Sequence, residues 1–157
     1  YNALSRNIES ELIPAARYYS VSIYAFNPLA GGLLTGKYGN QKELPEEGRF
    51  ALRSSYRERY WNEHMLATAS SIASSAVQCG LSAAEAALAW LVNSSMLKTS
   101  YNDSIIVGAS KLTQLEQNLR SLSISEIPED LQNKFENAWD VIKAGSPLYF
   151  KSRDSCK

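Results

Sequence analysis

A glycine-rich stretch that ends in a lysine offers the first candidate chemistry in the sequence. Residues 31–37 are Gly-Gly-Leu-Leu-Thr-Gly-Lys, and this order matches the start of the phosphate-binding P-loop pattern. The stretch follows an apolar run that is typical of a strand, which is where a P-loop begins. Glycine lets the backbone approach a phosphate closely, and a lysine adds a positive charge. The pattern therefore indicates a site for a phosphate group.

Three features argue against ATP or GTP as the ligand. Tyr38 stands where a P-loop carries the serine or threonine that binds magnesium. Lys37 precedes a polar segment with Pro45 and no helical period, whereas a P-loop lysine opens a helix whose N–H groups face the phosphate. The next apolar run, residues 104–107, ends in small neutral residues and not in an acidic magnesium ligand. A nucleoside triphosphate site is therefore kept only as an alternative, beside an ordinary turn with a solvated lysine.

A second predicted strand end has similar chemistry. Gly108 and Ala109 lie directly before a predicted helix N-terminus that carries Ser110 and Lys111. Small residues allow close approach, free N–H groups bind an anion, and the lysine adds charge. In (β/α)₈ barrels the phosphate site is frequently built from the loops after the last two strands. Two consecutive strand ends with this chemistry form a more specific signal than either one alone.

The elements that must position these residues follow from the spacing of apolar side chains. Short strands are predicted at residues 21–26 and 104–107, with a remnant of a third at Tyr1-Asn2-Ala3. Residues 38–60 are predicted to be a long polar loop with four arginines. The first helix is predicted over residues 8–19, with Ser5 as its cap and a kink at Pro14; a second is predicted over 62–79, and a third follows the capping box Ser82–Glu85.

Two more helices are predicted in the C-terminal part. One follows the cap Ser110, and its predicted buried residues are Leu112, Leu115, Leu119 and Leu122. The other begins at Pro128, and its predicted buried residues are Leu131, Phe135, Ala138, Trp139 and Ile142.

Strands that alternate with amphipathic helices predict βα units and a parallel sheet. Two strands cannot cover five helices, and a parallel sheet needs both faces buried. We therefore expect the chain to be part of an α/β domain and not a whole one. The first residue is Tyr1 and not Met, which fits a chain that is processed or cut from something longer.

Composition excludes several classes of partner. The 157 residues carry sixteen basic and sixteen acidic side chains, which argues against nucleic acid or an anionic membrane as the main partner. No window approaches the ~20 apolar residues of a membrane span. Cys79 and Cys156 form neither a disulfide framework nor a metal motif, so a reducing, cytoplasmic location is expected. His64 is the single histidine, which argues against a His-rich metal site, and we assign no metal ligands.

At these residues the sequence resembles the aldo-keto reductases, which are NADP(H)-dependent (β/α)₈ barrels, and most of all their aflatoxin aldehyde reductase and succinic semialdehyde reductase branch. The resemblance covers the family's C-terminal half. It implies an α/β fold in which residues 1–150 form the C-terminal half of a TIM barrel. This half would run from about strand six or seven to strand eight and include extra C-terminal helices, and residues 151–157 would form a tail. The segments that carry it are YNALSRNIESELIPAARYYSVSIYAFNPLAGGLLTGKY, GRF, YRERYWNEH, AALAWL, IIVGASKLTQLEQNL and SPLYF.

The resemblance implies a set of cofactor-binding positions. Phe26 matches the aromatic residue that stacks on the nicotinamide, and Arg49 matches an arginine that folds over the adenosine phosphate. Lys111 could add charge for the 2′-phosphate, which implies NADP(H) rather than NAD. The other implied positions are Asn27, Pro28, Leu29, Ala30, Gly31 and Lys37 around the pyrophosphate, Ser110 and Gln114 at the 2′-phosphate and ribose, and Gln117 and Asn118 at the adenine.

The resemblance also implies a substrate and a missing partner. In the semialdehyde-reducing relatives a loop arginine holds the substrate carboxylate, and Arg59, with Tyr56 nearby, matches that position; a solvated basic loop is the alternative. The family's catalytic Asp, Tyr, Lys and His lie in its N-terminal half, so no catalytic residue is assigned to this chain. The chain alone is therefore expected to be inactive and poorly folded until joined to that half, and the whole protein to be an aldehyde reductase, as a homodimer.

A non-catalytic alternative stays open. Potassium-channel β-subunits share this fold and much of the cofactor motif, so the chain could belong to an NADP-binding module without reductase activity. The upstream coding sequence discriminates between the two, because an intact catalytic tetrad favours the enzyme and a replaced tyrosine or lysine favours the binding module.

Overall fold

The computed structural model describes residues 1–39, 41 and 43–150. The tail predicted at 151–157, including Cys156, lies outside the described residues. Two strands and seven α-helices occur in the described part of the chain. In chain order they are α1 (Leu12–Tyr18), β1 (Tyr24–Ala25), α2 (Arg49–Leu52), α3 (Ser54–Tyr60), α4 (Glu63–Gln78), α5 (Ala83–Asn93), β2 (Ser104–Ile105), α6 (Leu112–Ser121) and α7 (Glu129–Ile142), with short 3₁₀ segments at Asn7–Glu9, Ala30–Thr35, Thr99–Tyr101 and Lys143–Gly145.

The two strands form the parallel pair that the alternation of strands and helices predicts. Tyr24 lies opposite Ser104, and the Ser104 N–H donates to the Ile23 carbonyl at 2.9 Å. Each strand is shorter than predicted, because parallel strands extend only where neighbours supply hydrogen bonds. The predicted third strand at Tyr1-Asn2-Ala3 was wrong. The Asn2 side chain accepts the Leu4 N–H at 2.9 Å and bends the chain into a turn.

The core lies between α4, α5 and α7. Trp90, Leu88 and Leu91 of α5 are fully buried and pack with Ile72 of α4 and Phe135 of α7 in one apolar cluster. The capping box at Ser82 and Glu85 is present and fixes the start of α5. The predicted buried face of α7 is confirmed, except that Trp139 is only half-buried.

Arg6 anchors the N-terminal segment on this core. Its guanidinium carbon lies 5.0 Å from the centroid of the Trp90 ring and 5.9 Å from that of Trp139. The same guanidinium pairs with the carboxylates of Glu9 and Glu136, each at 2.9 Å. A buried cation is stable here because it is paired and also lies against aromatic rings.

The first predicted helix begins later than expected. Residues 7–9 form a 3₁₀ segment that precedes α1 at Leu12, and Arg6, not Ser5, flanks that segment. The Ser5 hydroxyl instead donates to the hydroxyl of Tyr60 at 3.2 Å. Pro14 therefore falls in the first turn of α1, where its missing N–H has no intrahelical partner to lose, so the predicted kink is unnecessary.

The predicted long loop at 38–60 contains two helices, so that prediction was wrong for its second half. Gly48, with a φ of 88°, precedes α2, and Arg53 joins α2 to α3. Phe50 is fully buried, and its ring centroid lies 5.2 Å from that of Tyr38 and 4.9 Å from that of Trp61. Aromatic packing between distant residues holds this segment, and the local spacing of apolar residues could not reveal it.

The predicted buried face of α6 is partly exposed. Leu112 and Leu119 are 71% and 53% exposed. Lys111, not Ser110, is the N-cap residue of α6, and no side chain caps it. At α7, Pro128 occupies the N-cap position and not the first helical position. The amphipathic pattern of α6 is present, but its apolar face is not covered by the described part of the chain.

No single helix of the described residues is long and apolar enough to cross a membrane; α4 and α5 meet that test only as a pair bent by 91°.

Candidate functional site

The C-terminal ends of β1 and β2 lie side by side, because the strands are parallel and adjacent. The Ile106 N–H donates to the carbonyl of Ala25 at 2.8 Å, so the chain leaves both strands at the same edge. Ligands in α/β sheets bind at the carboxyl ends of strands. The glycine-rich loop after β1 and the loop before α6 therefore start at the same edge of the sheet, where the sequence predicts a phosphate site.

The loop after β1 turns through left-handed backbone conformations. Asn27, Ala30, Gly31 and Gly32 have φ values of 60°, 51°, 70° and 102°. Asn27 tolerates this region because its short polar side chain can hydrogen-bond locally. Its Oδ1 accepts the N–H of Gly31 at 2.8 Å, and its carbonyl accepts the N–H of Ala30 at 3.1 Å. The Asn27 side chain thus shapes the loop that was assigned to the pyrophosphate, in which Pro28 is buried and Leu29 half-buried.

Arg49 joins the two strand ends. Its Nη1 donates to the Tyr56 hydroxyl at 3.2 Å, and the Tyr56 ring lies against Gly31. Its Nη2 lies 3.9 Å from the position that a β-carbon at Gly108 would occupy. The guanidinium of Arg49 is therefore beside both loops, although α2 itself belongs to neither.

Lys37 lies near the same loop but does not have P-loop geometry. It follows the 3₁₀ segment Ala30–Thr35 and the left-handed Gly36, and it does not open a helix. Its ammonium nitrogen is 4.6 Å from the centroid of the Tyr38 ring and 3.8 Å from the position of a β-carbon at Gly32. These observations support the argument against an ATP or GTP site.

The loop after β2 brings only some of its predicted residues together. The Ser110 hydroxyl and N–H both donate to Gln114 Oε1, at 3.0 and 3.2 Å. Lys111 and Gln117 are exposed, whereas Asn118 is only 8% exposed and so offers little surface to a ligand. The N-terminal N–H groups of α6 have no side-chain cap.

A pocket of about 180 Å³ lies beside the end of β1. Phe26, which is 58% exposed, and Arg59 line it, together with Leu148 and Tyr149 of the C-terminal segment. The pocket therefore contains the residue assigned to the nicotinamide and one of the two assigned to the substrate. Tyr56, the other substrate assignment, lies instead against Gly31 and Arg49.

Sequence reasoning missed Tyr60 and Asn2. The Tyr60 hydroxyl accepts from the Nδ2 atoms of Asn2 and Asn27, each at 3.1 Å, and Tyr60 is 1% exposed. Tyr60 follows Arg59 in a segment predicted to be a loop, and no helical or strand periodicity of apolar residues indicated that it is buried. Only the fold brings it below the end of β1.

The charge and backbone of this site suit a phosphate anion. Within residues 1–39, 41 and 43–150, no carboxylate lies within the 4.0 Å ion-pair distance of Lys37, Arg49 or Arg59. Unpaired cations, a glycine loop and a helix N-terminus without a side-chain cap are the groups that bind phosphates in proteins.

Known proteins of one family are similar to this chain. The model of the aldo/keto reductase family matches residues 1–140. An aldo-keto reductase of Pseudocercospora fijiensis is 44% identical over 96% of this chain and 52% of its own length. Aflatoxin B1 aldehyde reductase member 2 of Rattus norvegicus is 40% identical over 96% of this chain and 44% of its own length. The chain thus spans about half the length of these curated relatives.

The fold is shared with a solved structure. Glycerol dehydrogenase of Gluconobacter oxydans superposes with a TM-score of 0.66 at 18% sequence identity, over 97% of this chain and 44% of that protein. At this identity the likeness concerns the fold alone, and it supports an α/β fold for the chain.

Proposed function

The chain belongs to the aldo/keto reductase family, and from that premise we propose that it forms the cofactor-binding half of an NADPH-dependent aldehyde reductase. The observation that carries the proposal is the position of Arg49, which contacts Tyr56 above the loop after β1 and reaches the loop after β2. A dinucleotide has two phosphate-bearing regions, and these two loops are separate sites for phosphate. An arginine that lies beside both loops, as Arg49 does, is suited to a dinucleotide.

The residues of the chain have distinct tasks in this proposal. The loop from Asn27 to Gly31 and the Lys37 ammonium bind the pyrophosphate, while Arg49 closes over the adenosine side. Ser110 and Lys111 bind the 2′-phosphate, which selects NADPH over NADH. Gln114 and Gln117 contact the ribose and adenine, with Asn118 behind them.

The pocket beside β1 is the proposed place of the reaction. The exposed ring of Phe26 offers a face on which the nicotinamide can stack. NADPH, when bound, would supply the hydride that reduces the carbonyl carbon. Arg59 lies in the same pocket and would bind a carboxylate on the aldehyde, so carboxylated aldehydes are the proposed substrates. The proton for the alkoxide would come from the family's tyrosine outside this chain.

The partner that completes the barrel is part of the proposal. Tyr24 of β1 and Phe26, which directly follows β1, are 65% and 58% exposed on one face of the sheet. Parallel sheets in proteins are covered on both faces. We assign this face, and the exposed leucines of α6, to an N-terminal half-barrel that carries the catalytic tetrad, with residues 1–150 as the C-terminal half. Cytoplasmic location and a homodimer stay predictions.

A chimera tests the function. The N-terminal half of the Pseudocercospora fijiensis relative is joined to Tyr1 of this chain, and the product is called the fused protein below. We expect it to bind NADPH more tightly than NADH, as measured by quenching of nicotinamide fluorescence, and to oxidise NADPH when a carboxylated aldehyde is added. The chain alone should not do so.

Three results would count against the proposal. Aldehyde-dependent NADPH oxidation by the chain alone would contradict the need for a second half. Tighter binding of NADH would contradict the tasks given to Ser110, Lys111 and Arg49. Binding of neither dinucleotide to a folded fused protein would reject the function as a whole.

A further inference from the structure

The hydroxyl of Tyr60 is the centre of a buried hydrogen-bond network below the proposed dinucleotide site. Asn2 Nδ2 and Asn27 Nδ2 lie 3.1 Å from it, and Ser5 Oγ lies 3.2 Å from it. Tyr60 is 1% exposed and Asn2 is 0% exposed. A buried polar group without a partner is costly, so the residues of this network depend on one another.

Two backbone N–H groups determine the orientation of both amide side chains in the network. The Leu4 N–H must donate to Asn2 Oδ1 at 2.9 Å, and the Gly31 N–H must donate to Asn27 Oδ1 at 2.8 Å. Both Nδ2 atoms are thereby left to donate to the Tyr60 oxygen. The Ser5 hydroxyl is the third hydrogen-bond partner of this oxygen, at 3.2 Å.

This arrangement holds Asn27 from two sides. Its Oδ1 binds the backbone of Gly31, and its Nδ2 binds Tyr60. Within the described residues, Asn27 Nδ2 donates to no acceptor other than the Tyr60 oxygen. Loss of the Tyr60 oxygen would leave that N–H without a partner and would release the side chain that sets the left-handed turn.

We propose that Tyr60 is a positioning residue for the dinucleotide: its hydroxyl fixes the Asn27 side chain, and Asn27 in turn fixes the loop up to Gly31. Tyr60 itself makes no contact with the pyrophosphate in this proposal. The inference rests on the proposed function, because it assigns a task to a residue behind the same site.

The test compares Tyr60→Phe with the unchanged fused protein, in the absence of aldehyde. The variant keeps the ring and removes only the hydroxyl. We expect the Kd for NADPH to rise about tenfold, as expected for one unsatisfied buried donor, and the Gly31 N–H to exchange faster with solvent. Asn93→Ala is the control, because the Asn93 side chain donates to the carbonyls of Ala89 and Ile124 at the C-terminal end of α5, whereas the N-terminal end of α5 lies near Gly36. It should lower Tm and leave Kd unchanged.

A double variant separates positioning from general destabilisation. If Tyr60 acts through Asn27, Tyr60→Phe should have no further effect on Kd in a protein that already carries Asn27→Ala. An unchanged Kd in the single variant, or an equal rise in both backgrounds, would overturn the proposal. If the unchanged fused protein binds no dinucleotide, the proposed function fails and the inference falls with it. If it binds and Tyr60→Phe binds equally well, only the inference fails.

Discussion

The ring of Tyr56 lies so close to Gly31 that a β-carbon at Gly31 would be 2.6 Å from Tyr56 Cδ1. Gly31 also has a φ of 70°. Two independent constraints, one from backbone conformation and one from packing, therefore require glycine at this point of the loop.

The first prediction concerns Gly31→Ala. We expect it to displace Tyr56 and with it the hydroxyl that Arg49 contacts, and so to weaken NADPH binding by the fused protein more than tenfold, on the order of the cost of a lost charged hydrogen bond. The matched control is Gly80→Ala. Gly80 has a φ of 75° but nothing within 4 Å of an added β-carbon. The Gly80→Ala substitution should therefore lower the free energy of unfolding only by the backbone strain of about 1 kcal/mol and leave the Kd for NADPH unchanged. Equal Kd values for the two variants would contradict the packing argument.

The second prediction concerns Arg49. Arg49→Ala should raise the Kd for NADPH about tenfold and reduce its dependence on salt, because one cation beside the phosphates is lost. Arg53→Ala removes an exposed arginine four positions further along the chain and serves as the charge-matched control. Titrations at low and high salt measure the effect. A Kd that responds equally to both variants would show that net charge, and not the position of Arg49, matters.

The third prediction concerns Arg59 and the substrate. Arg59→Met should raise the KM of the fused protein for a carboxylated aldehyde by about tenfold or more and leave the KM for an uncharged aldehyde nearly unchanged. The two aldehydes act as controls for each other within one variant. Similar changes for both would indicate a structural role for Arg59 in the pocket and not recognition of a carboxylate.

The fourth prediction concerns acid stability through Asp103. Burial raises the pKa of its carboxyl, but hydrogen bonds from Arg17 and from the N–H groups of Lys98 and Ile23 outweigh this, so the pKa lies below its usual value. The unfolded chain then binds more protons in acid, so the stabilisation is complete above about pH 4 and is lost as the pH falls through the folded pKa.

Asp103→Asn should therefore lower the free energy of unfolding by about 2–3 kcal/mol at neutral pH, and the difference should shrink below about pH 4. Urea denaturation of the fused protein at several pH values measures it. Asp140→Asn is the control, because Asp140 pairs with Lys143 on the surface, and its denaturation midpoint should not change. A constant difference between wild type and Asp103→Asn at all pH values would refute the assignment.

The fifth prediction concerns the exposed apolar surfaces. The chain alone should bind a hydrophobic dye and self-associate, because the Tyr24 face of the sheet and Leu112 and Leu119 of α6 are open. The fused protein should bind much less dye and remain monomeric or dimeric by light scattering. Equal dye binding by both would mean that the N-terminal half does not cover these surfaces.

The parts of the fold that could be predicted from the sequence are those that depend on the local spacing of residues. The capping box at Ser82, the helix predicted over residues 62–79 and the parallel pairing of the two strands all follow from spacing and alternation. Strand length could not be predicted, because it depends on neighbours. The helices α2 and α3 were missed because Phe50 and Trp61 are stabilised by a contact with the distant Tyr38.

The candidate site likewise has residues that could be predicted from the sequence and contacts that could not. The phosphate-suited residues around Gly31 and Gly108 could be found from sequence, since glycine, lysine and arginine types carry that chemistry. The position of Arg49 beside both loops could not be predicted, because the spacing of residues along the chain does not encode it. Ser110 was predicted to cap α6, yet its hydroxyl binds the Gln114 side chain instead.

Asp103 has a consequence for the site that it never touches. It stands one residue before β2, and its Oδ1 accepts the N–H of Ile23 at 2.8 Å, one residue before β1. Because side chains alternate along a strand, a slip by one residue would exchange the two faces of β1 relative to β2. Phe26 would then turn away from the pocket. The Asp103 carboxylate therefore helps to fix the register of β1 against β2, and with it the side of the sheet to which the Phe26 ring points.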